Sequence, residues 1–262
     1  MFEFHTDMKR YHDMTRRVTE DHILPFIGGH VDLSKELHVL EIGSGEAGVL
    51  SAFTAQNHKC VGIELSPERV KRAEALMSDE IAKGQIQFIA EDIYDINPDR
   101  FDRKFDVIIL KDVIEHIHNQ GKFMERVGEF LANDGVIFFG FPPWYMPYGG
   151  HQQVAKSKLG SKLPYYHILP TFIYKAILKL MGETPEMIDG LIEIKETGIS
   201  IERFVKVTKN AGLRIAASRF YLFNPIYEHK FGLKPRIQFG VINALPFVRN
   251  FLTTCAYYIV KK

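Results

Sequence analysis

The chain has 262 residues, of which 46% are hydrophobic and 25% are charged. This composition excludes a disordered or collagen-like chain, and the length suits one large domain, or a domain with an insertion, better than two domains. The net charge of +1 hides an asymmetry, since residues 1–134 hold 16 basic and 25 acidic residues, whereas residues 135–262 hold 17 and 7. Either the two halves meet different partners or their charges interleave in the folded molecule.

Strands alternate with helical segments from residue 37 to residue 141. The strands are predicted at Leu37–Ile42, Lys59–Ile63, Gln85–Ala90, Phe105–Leu110 and Val136–Phe141. The helical signals are the apolar spacing of Glu46–Asn57, the start signal Ser66-Pro67 of a helix running to Lys83, and one face formed by Phe123, Val127, Phe130 and Leu131. This alternation predicts an α/β fold with a doubly wound parallel sheet.

The alternation stops after the fifth strand. Residues 142–199 begin with PPWYMPYGG and contain a predicted helix at Thr171–Met181. We interpret them as an insertion, or lid, on the substrate side, over the carboxyl ends of the strands. The remaining predicted elements are a helix at Ser200–Ala211, a strand at Leu213–Phe223, a last strand at Thr253–Val260 and an N-terminal helical cover at residues 1–36. We expect the whole chain, 1–262, to form a single domain.

Neither export nor membrane insertion is indicated by the sequence. No run of 18 uncharged apolar residues occurs, and the first residues, MFEFHTDMKRYHD, include acids where a secretory signal needs an apolar core. Two cysteines, Cys60 and Cys255, cannot form a disulfide framework or a four-cysteine metal site. We therefore expect a cytoplasmic protein.

Polar or glycine-rich features follow three successive predicted strands. The glycines in Glu41-Ile-Gly43-Ser44-Gly45 allow a sharp turn after the first strand and the close approach of a ligand. Glu64 ends the second strand, where its carboxylate can accept hydrogen bonds from both hydroxyls of a ribose. Asp92 follows the third strand, where its carboxylate can accept a hydrogen bond from an adenine amino group. The three features together predict a nucleoside-binding site.

These motifs resemble those of the class I S-adenosylmethionine-dependent methyltransferases, in particular small-molecule O-methyltransferases. VLEIGSGEAG is similar to their first motif, GIELS to their ribose-binding strand end, AEDI to their adenine-contact turn, and FDVIILKDVIEHI continues the family's order. The resemblance implies a Rossmann-like sheet of seven strands, the last antiparallel, with the insertion between strands 5 and 6. It also implies S-adenosylmethionine as cofactor and S-adenosylhomocysteine as product. Ala47 departs from the pattern, because many members have glycine there.

The resemblance also assigns residues to the cofactor site. The cofactor-binding residues that it implies are Glu41, Gly43, Ser44, Gly45, Glu64, Leu65, Asp92, Ile93, Lys111 and Asp112. The acidic first half of the chain suits this cofactor, which carries a sulfonium and an ammonium cation.

Methyl transfer to a hydroxyl oxygen needs a base that takes the proton. We predict His116 and His151 as the catalytic residues, with His167 as a weaker candidate. In quinone-biosynthesis O-methyltransferases and small-RNA methyltransferases, the pattern E-x-x-E-H can bind a divalent metal, and Asp112, Glu115 and His116 would form a partial site of this kind. We expect no metal, because E-H after the fourth strand is widespread in the family without one.

The insertion carries the signals for the acceptor. Eight of the 32 aromatic residues lie between Phe141 and Tyr174, among them Trp144, Tyr145, Tyr148, Tyr165 and Tyr166, and no acid lies between Gly135 and Gly182. This composition predicts a small-molecule acceptor with an apolar or aromatic body and an anionic group. The apolar stripe of the helix at Thr171–Met181 predicts core packing or, alternatively, contact with anionic membrane lipids.

Three alternatives to a small-molecule methyltransferase stay open. A NAD-dependent oxidoreductase could use the same glycine turn, although Asp92 and the segment DVIEHI argue against it. An RNA methyltransferase would suit the basic second half, but its basic residues are scattered, which argues against nucleic acid as the partner. The third alternative is a protein that binds the cofactor without catalysis.

Overall fold

An eight-stranded sheet forms the centre of the computed structural model, which describes residues 7–262. The strands are β1 (His38–Ile42), β2 (Lys59–Ile63), β3 (Ile86–Ile89), β4 (Phe105–Lys111), β5 (Leu131–Phe141), β6 (Arg214–Phe223), β7 (Arg236–Ile237) and β8 (Cys255–Lys261). Their order across the sheet is β3-β2-β1-β4-β5-β8-β6-β7. Strands β1 to β5 pair in parallel, and β8 lies antiparallel between β5 and β6. The predicted Rossmann-like α/β fold with an antiparallel last strand is confirmed.

Two details of the sheet differ from the prediction. The sheet has eight strands and not seven, because Arg236 and Ile237 pair with β6 at its edge; two residues are too few to show a period of two. Strand β5 begins at Leu131 and not at Val136, so Leu131 does not belong to the preceding helix. Leu131 pairs with Phe105 before the register shifts, an irregularity that hydrophobic spacing does not reveal.

Helices cover both faces of this sheet. They are α1 (Met8–Val18), α2 (Leu24–Gly28), α3 (Gly48–Thr54), α4 (Pro67–Leu76), α5 (Ser78–Ala82), α6 (Gln120–Phe130), α7 (Thr171–Leu180), α8 (Pro185–Thr197), α9 (Ile201–Asn210), α10 (Ile226–Phe231), α11 (Gly240–Asn243) and α12 (Val248–Leu252). The Ser66 hydroxyl caps α4 by accepting from the Arg69 N–H, at 3.4 Å. The helix expected from Ser66 to Lys83 is divided at Met77, whose φ of −116° and ψ of 24° interrupt the helical backbone.

The core consists of two apolar layers, one on each face of the sheet. Along β4, Ile108 and Leu110 face the layer that contains Phe123 of α6, whereas Val107 and Ile109 face the layer that contains Phe53 of α3. A strand buried on both faces reads as a continuous apolar run, which explains why it was recognisable in the sequence. Burying each such side chain stabilises the fold by roughly 1.5–3 kcal/mol.

The N-terminal segment packs beside the carboxyl ends of the strands. Helix α1 is followed by a π-helical turn at Thr19–Ile23 and by α2; residues 1–6 of the predicted cover lie outside the described residues. The backbone of α1 passes so close to α3 that a Cβ on Gly48 would lie 2.5 Å from the His12 carbonyl oxygen. This contact holds α1 against the turn that follows β1.

The insertion between β5 and β6 contains α7 and α8. Its two ends are tied to each other and to α6, because the Trp144 N–H donates to the Ile199 carbonyl at 2.8 Å and the Gln120 side chain of α6 donates to the Thr197 carbonyl at 2.6 Å. Cys60 and Cys255 are buried free thiols. Within residues 7–262, no helix is both long enough and apolar enough to cross a membrane.

Candidate functional site

A cavity of about 400 Å³ opens where β1, β2, β3 and β4 end. All ten residues that the sequence assigned to the cofactor line it: Glu41, Gly43, Ser44, Gly45, Glu64, Leu65, Asp92, Ile93, Lys111 and Asp112. We call it the nucleoside-side cavity. The structure thus brings together residues that are up to 71 positions apart, because parallel strands deliver their carboxyl ends to the same edge of the sheet.

The turn after β1 requires backbone that favours glycine. Gly43 has a φ of +75°, and a Cβ there would lie 2.7 Å from a methyl group of Val113. The N–H groups of Gly43 and Ser44 donate to the Ile63 carbonyl at 2.8 and 3.1 Å, which fixes the turn against β2. Ala47 also has a left-handed backbone, with a φ of +61°. This explains why glycine suits the position, although alanine occupies it here.

Glu64 is held rigidly at the end of β2. Its carboxylate is buried and accepts hydrogen bonds from the Gly45 N–H at 3.0 Å and the Ser66 N–H at 3.1 Å. Arg69 of α4, which sequence reasoning missed, lies 3.5 Å from the same carboxylate and 3.3 Å from Glu46. Glu64 therefore links the glycine turn to α4 and presents a fixed acceptor to the cavity.

The segment after β3 is fixed by two hydrogen bonds. The Asp92 carboxylate accepts from the Tyr94 N–H at 3.0 Å, which makes a tight local turn. The Ile93 carbonyl accepts from the Arg126 side chain of α6 at 3.0 Å. Asp92 is half-buried and Ile93 is buried in the cavity wall, so the turn offers a carboxylate beside an apolar surface.

The end of β4 carries an ion pair between Lys111 and Asp112. Asp112 has a left-handed backbone, with a φ of +56°, and its N–H donates to the Gly140 carbonyl at 2.7 Å. Burial raises the pKa of Asp112, but the Lys111 ammonium outweighs burial and holds that pKa below its usual value. By contrast, burial raises the pKa of Glu41 well above its usual value, and one of its oxygens has no protein partner among residues 7–262.

A second cavity, of about 250 Å³, adjoins the first. We call it the acceptor-side cavity; Tyr11 and Asp112 line both. It also contains His151 of the insertion and Lys230 of α10, whose ammonium lies 5.7 Å from the centre of the Tyr11 ring. Burial and the charge of Lys111 lower the pKa of Lys230 to about 8.

The two predicted bases meet where the cavities join. His116 lines the nucleoside-side cavity, and its ring centre lies 5.1 Å from that of His151. Burial and the neighbouring His116 lower the pKa of His151 to about 4, and burial also lowers the pKa of His116. Both imidazoles are therefore neutral at pH 7 and able to accept a proton. The loop that carries His151 packs closely on itself at Gly149, where a Cβ would lie 2.1 Å from the Trp144 carbonyl oxygen. Glycine at this position therefore permits the loop conformation that places His151 at the junction.

One group of side chains in this region has the spacing of metal ligands. Glu115, His116 and His151 offer atoms that lie within 4.8 Å of one another. The set differs from the partial site considered from the sequence, because His151 takes the place of Asp112. Both Glu115 oxygens are buried without a hydrogen-bond partner among the described residues, and burial raises the pKa of this carboxyl well above its usual value.

Several expectations about the insertion are wrong. His167 is a buried structural residue, because its Nε2 bonds to the Trp144 carbonyl at 2.8 Å and its Nδ1 bonds to the Gln152 side chain at 3.1 Å. Of the five aromatic residues singled out, only Tyr148 lines the acceptor-side cavity. The others pack within the protein: Trp144 on His167, Tyr145 and Tyr165 on Phe251, and Tyr166 on Tyr174.

Sequence reasoning missed the contribution of α10 to the acceptor-side cavity. Tyr227 and Lys230 lie one turn apart and face it together with Ile226. Asn224-Pro225 before them is a turn signal, and the Tyr227 N–H donates to the Asn224 carbonyl at 2.8 Å. That signal predicts a helix start, but nothing local in the sequence connects α10 with residues 112–151.

Comparison with known proteins gives a consistent result. A family model described as a methyltransferase domain matches residues 12–157. The norajmaline N-methyltransferase of Rauvolfia serpentina is 32% identical over 119 residues, which are 45% of this chain and 40% of that protein. The ubiquinone biosynthesis O-methyltransferase of Azorhizobium caulinodans is 25% identical over 104 residues, 39% of each chain. The chain thus covers less than half the length of these curated relatives.

Solved structures share the fold across nearly the whole chain. The plantazolicin methyltransferase BpumL, solved with SAH, covers 98% of this chain and 90% of its own at 14% identity, with a TM-score of 0.56. The magnesium protoporphyrin IX methyltransferase of Synechocystis PCC 6803, also solved with bound SAH, covers 95% and 84% at 13% identity, with a TM-score of 0.54. Both similarities include the insertion and the segments that follow it.

Proposed function

The chain belongs to the family of the methyltransferase domain, and from this premise we propose that it transfers the methyl group of S-adenosylmethionine to an oxygen of a small organic acceptor. The observation that carries the proposal is the nucleoside-side cavity, in which the turn after β1, Glu64 after β2 and Asp92 after β3 face one space. A glycine-rich turn after the first strand and one acid after each of the next two match the polar groups of an adenosine.

In this proposal, each strand end binds one part of the cofactor. Glu64 accepts hydrogen bonds from the ribose hydroxyls, and Asp92 accepts one from the adenine amino group, with the N–H of Ile93 as a donor. The left-handed turn at Gly43 lets the backbone approach the ligand closely. Lys111 and Asp112 lie beside the methionine portion.

Charge supports the same assignment. Asp112, whose carboxyl stays ionised beside Lys111, lines the cavity with Glu64 and Asp92. S-adenosylmethionine supplies, when bound, an electrophilic methyl group on a sulfonium. Fixed carboxylates complement its two cationic centres at little cost in reorganisation.

The acceptor would occupy the acceptor-side cavity, next to Asp112. A neutral His151, or His116 at the junction of the cavities, takes the proton from the acceptor hydroxyl as its oxygen becomes nucleophilic. Lys230 contributes a cation to the wall of the acceptor-side cavity, which suits an acceptor with an anionic group. The apolar wall, with Met146 and Ile226, suits an apolar or aromatic body. The proposed reaction needs no metal.

Calorimetry with S-adenosylmethionine, S-adenosylhomocysteine and NAD in parallel tests the proposal. We expect binding of the first two and none of NAD. Binding of NAD without S-adenosylhomocysteine would instead support the oxidoreductase that shares the glycine turn. A phenol panel incubated with methyl-labelled S-adenosylmethionine then separates an enzyme from a protein that only binds the cofactor.

A further inference from the structure

Exposed apolar side chains are concentrated in residues 233–252, which we call the apolar segment. It contains β7, α11 and α12 and connects the edge of the sheet to β8. Of the 21 large hydrophobic side chains that are exposed in the described chain, nine lie in these 20 residues: Leu233, Ile237, Phe239, Val241, Leu245, Phe247, Val248, Phe251 and Leu252. Scattered exposed apolar residues are ordinary, but a cluster of this density marks an interaction surface.

Hydrogen bonds fix the backbone of the apolar segment at both of its ends. Gln238 is buried, and its N–H donates to the Phe220 carbonyl at 2.8 Å while its side chain donates to the Leu252 carbonyl at 2.7 Å. At the other end, Glu202 of α9 accepts from the Phe247 N–H at 3.1 Å and from the Asn250 side chain at 2.6 Å. The side chains of Gln238 and Asn250 thus point inward and are hydrogen-bonded, while the apolar side chains named above are presented outward.

The backbone of Phe247 is held in an unusual conformation in which the residue is exposed. Its φ is +63° with a ψ of −46°, and the Val248 N–H donates to the Pro246 carbonyl at 2.8 Å, which makes a γ-turn with a positive φ, a true outlier for a bulky residue. The Glu202 carboxylate holds its N–H in that conformation, and the residue is 66% exposed. Backbone strain maintained to expose an aromatic ring is typical of a functional position.

The charge of the apolar segment selects the partner. It contains Lys234, Arg236 and Arg249 and no acidic residue. Arg249 is paired with Glu202, whereas Lys234 and Arg236 are exposed, and the Arg236 guanidinium lies 4.7 Å from the centre of the Phe239 ring. Aromatic and aliphatic tips with basic residues around them are the composition of surfaces that bind anionic lipid headgroups.

We propose that residues 233–252 dock onto an anionic phospholipid membrane. The surface differs from the one the sequence suggested, which was α7. It adjoins the insertion, because the Tyr165 hydroxyl donates to the Phe251 carbonyl at 2.9 Å and the Tyr145 and Phe251 rings lie 5.5 Å apart. Docking would therefore hold the insertion, with the acceptor-side cavity behind it, close to the bilayer.

Flotation with vesicles tests the proposal without reference to methyl transfer. The full chain is mixed with vesicles of phosphatidylcholine alone or with added phosphatidylglycerol. We expect binding to the anionic vesicles that weakens in high salt, and little binding to the neutral ones. The double variant Val241→Glu/Phe247→Glu should lose at least tenfold in vesicle affinity, and Lys234→Glu/Arg236→Glu should lose the preference for anionic lipid.

The matched control is a double variant that introduces two glutamates on α7 instead of in the apolar segment. Phe172 and Leu180 are exposed to a similar degree, at 74% and 90%, so Phe172→Glu/Leu180→Glu should leave vesicle binding unchanged. Equal losses in the two double variants would overturn the assignment to the apolar segment, as would the absence of binding to anionic vesicles. A dimer in sedimentation equilibrium that Val241→Glu/Phe247→Glu dissociates, without vesicle binding, would make this surface a self-interface instead.

Calorimetry with S-adenosylhomocysteine separates this proposal from the proposed function. The apolar segment does not line the nucleoside-side cavity, so both double variants should bind S-adenosylhomocysteine like the wild type. If the wild type binds vesicles but not S-adenosylhomocysteine, only the proposed function fails.

Discussion

The two adjoining cavities are built in different ways. The nucleoside-side cavity is formed mainly by the first residues after four parallel strands, each of which follows its strand directly in sequence. The acceptor-side cavity combines α1, the residues after β4, the insertion and α10. The first cavity is therefore encoded in short motifs, whereas the second exists only once distant segments have packed together.

Their electrostatic character also differs. The nucleoside-side cavity holds fixed carboxylates, with Glu64 bonded to backbone N–H groups. At and beyond the junction, burial shifts the pKa values of His116, His151, Glu115 and Lys230 toward the uncharged forms of these groups. A binding site for a cation needs permanent charge, while a site that takes a proton from its acceptor needs a group that is uncharged at neutral pH.

Replacing His151 should distinguish the roles of the two cavities most clearly, because it should change turnover without changing cofactor affinity. His151→Ala removes the proposed base and should lower turnover of a phenol acceptor about 100-fold or more, with S-adenosylhomocysteine affinity unchanged. Because the pKa of His151 is lowered to about 4, the neutral form persists below the ordinary histidine value. The wild-type kcat/KM should therefore stay nearly constant from pH 7 to about pH 5 and fall below that.

The control for this variant is His118→Ala. His118 is exposed, 3.5 Å from Glu193, and lines neither cavity, so turnover should not change. Equal losses in cofactor affinity and turnover for His151→Ala would contradict the division into a cofactor site and a base.

Glu64→Ala should have the largest effect on cofactor binding. It leaves the ribose hydroxyls and the Gly45 N–H unpaired, at a cost of roughly 2–4 kcal/mol. Calorimetry should show S-adenosylhomocysteine bound about 30-fold to 700-fold more weakly. The preference over its 2′-deoxy analogue should disappear. Glu68→Ala on the neighbouring exposed turn should bind like the wild type; unchanged affinity of Glu64→Ala would refute the ribose assignment.

The sequence predicted the parts of the fold that depend on local chemistry. Ser66-Pro67 marked the start of α4, and Glu64 and Asp92 were placed correctly at strand ends, because hydrophobic period and turn chemistry are short-range. The same rule would have found α8, since Thr184 accepts from the Met187 N–H at 3.4 Å and Pro185 follows it.

Other features could not be predicted because their causes are tertiary. Lys230 is 79 residues from His151 in sequence, and no local pattern relates them. The aromatic content of the insertion suggested a cavity wall, but Trp144 and Tyr166 are used to pack the insertion itself. Composition cannot distinguish an aromatic side chain that meets a ligand from one that meets another side chain.

The buried His167 predicts an acid-sensitive insertion. Burial lowers the pKa of His167 to about 4, below that of the unfolded chain, so the unfolded state binds more protons and stability falls as pH falls from about 6.5 toward 4. At pH 5 this residue alone should reduce the free energy of unfolding by about 2 kcal/mol relative to pH 7. Urea titrations of the wild type and His167→Gln at both pH values measure it. A pH dependence that survives the substitution intact would show that His167 is not the cause.

The smallest expected effect concerns Ala47, where the nucleoside-side turn departs from the glycine that the family resemblance implies. A left-handed backbone costs a non-glycine residue roughly 1–2 kcal/mol, and Ala47→Gly relieves this. The change also removes a buried methyl group worth about 0.8 kcal/mol and adds about 0.5–1 kcal/mol of backbone entropy to the unfolded chain. These contributions nearly cancel, so the free energy of unfolding should change by less than about 1 kcal/mol.

Ala52→Gly is the matched control for this substitution, since Ala52 is equally buried but lies within α3. It loses the same methyl group and the same entropy without relieving strain, and should destabilise the protein by about 2 kcal/mol. The difference between the two variants, from urea titration, measures the strain stored in the turn. If they destabilise equally, the turn at Ala47 is unstrained, and alanine there is no departure in energetic terms from the glycine it replaces.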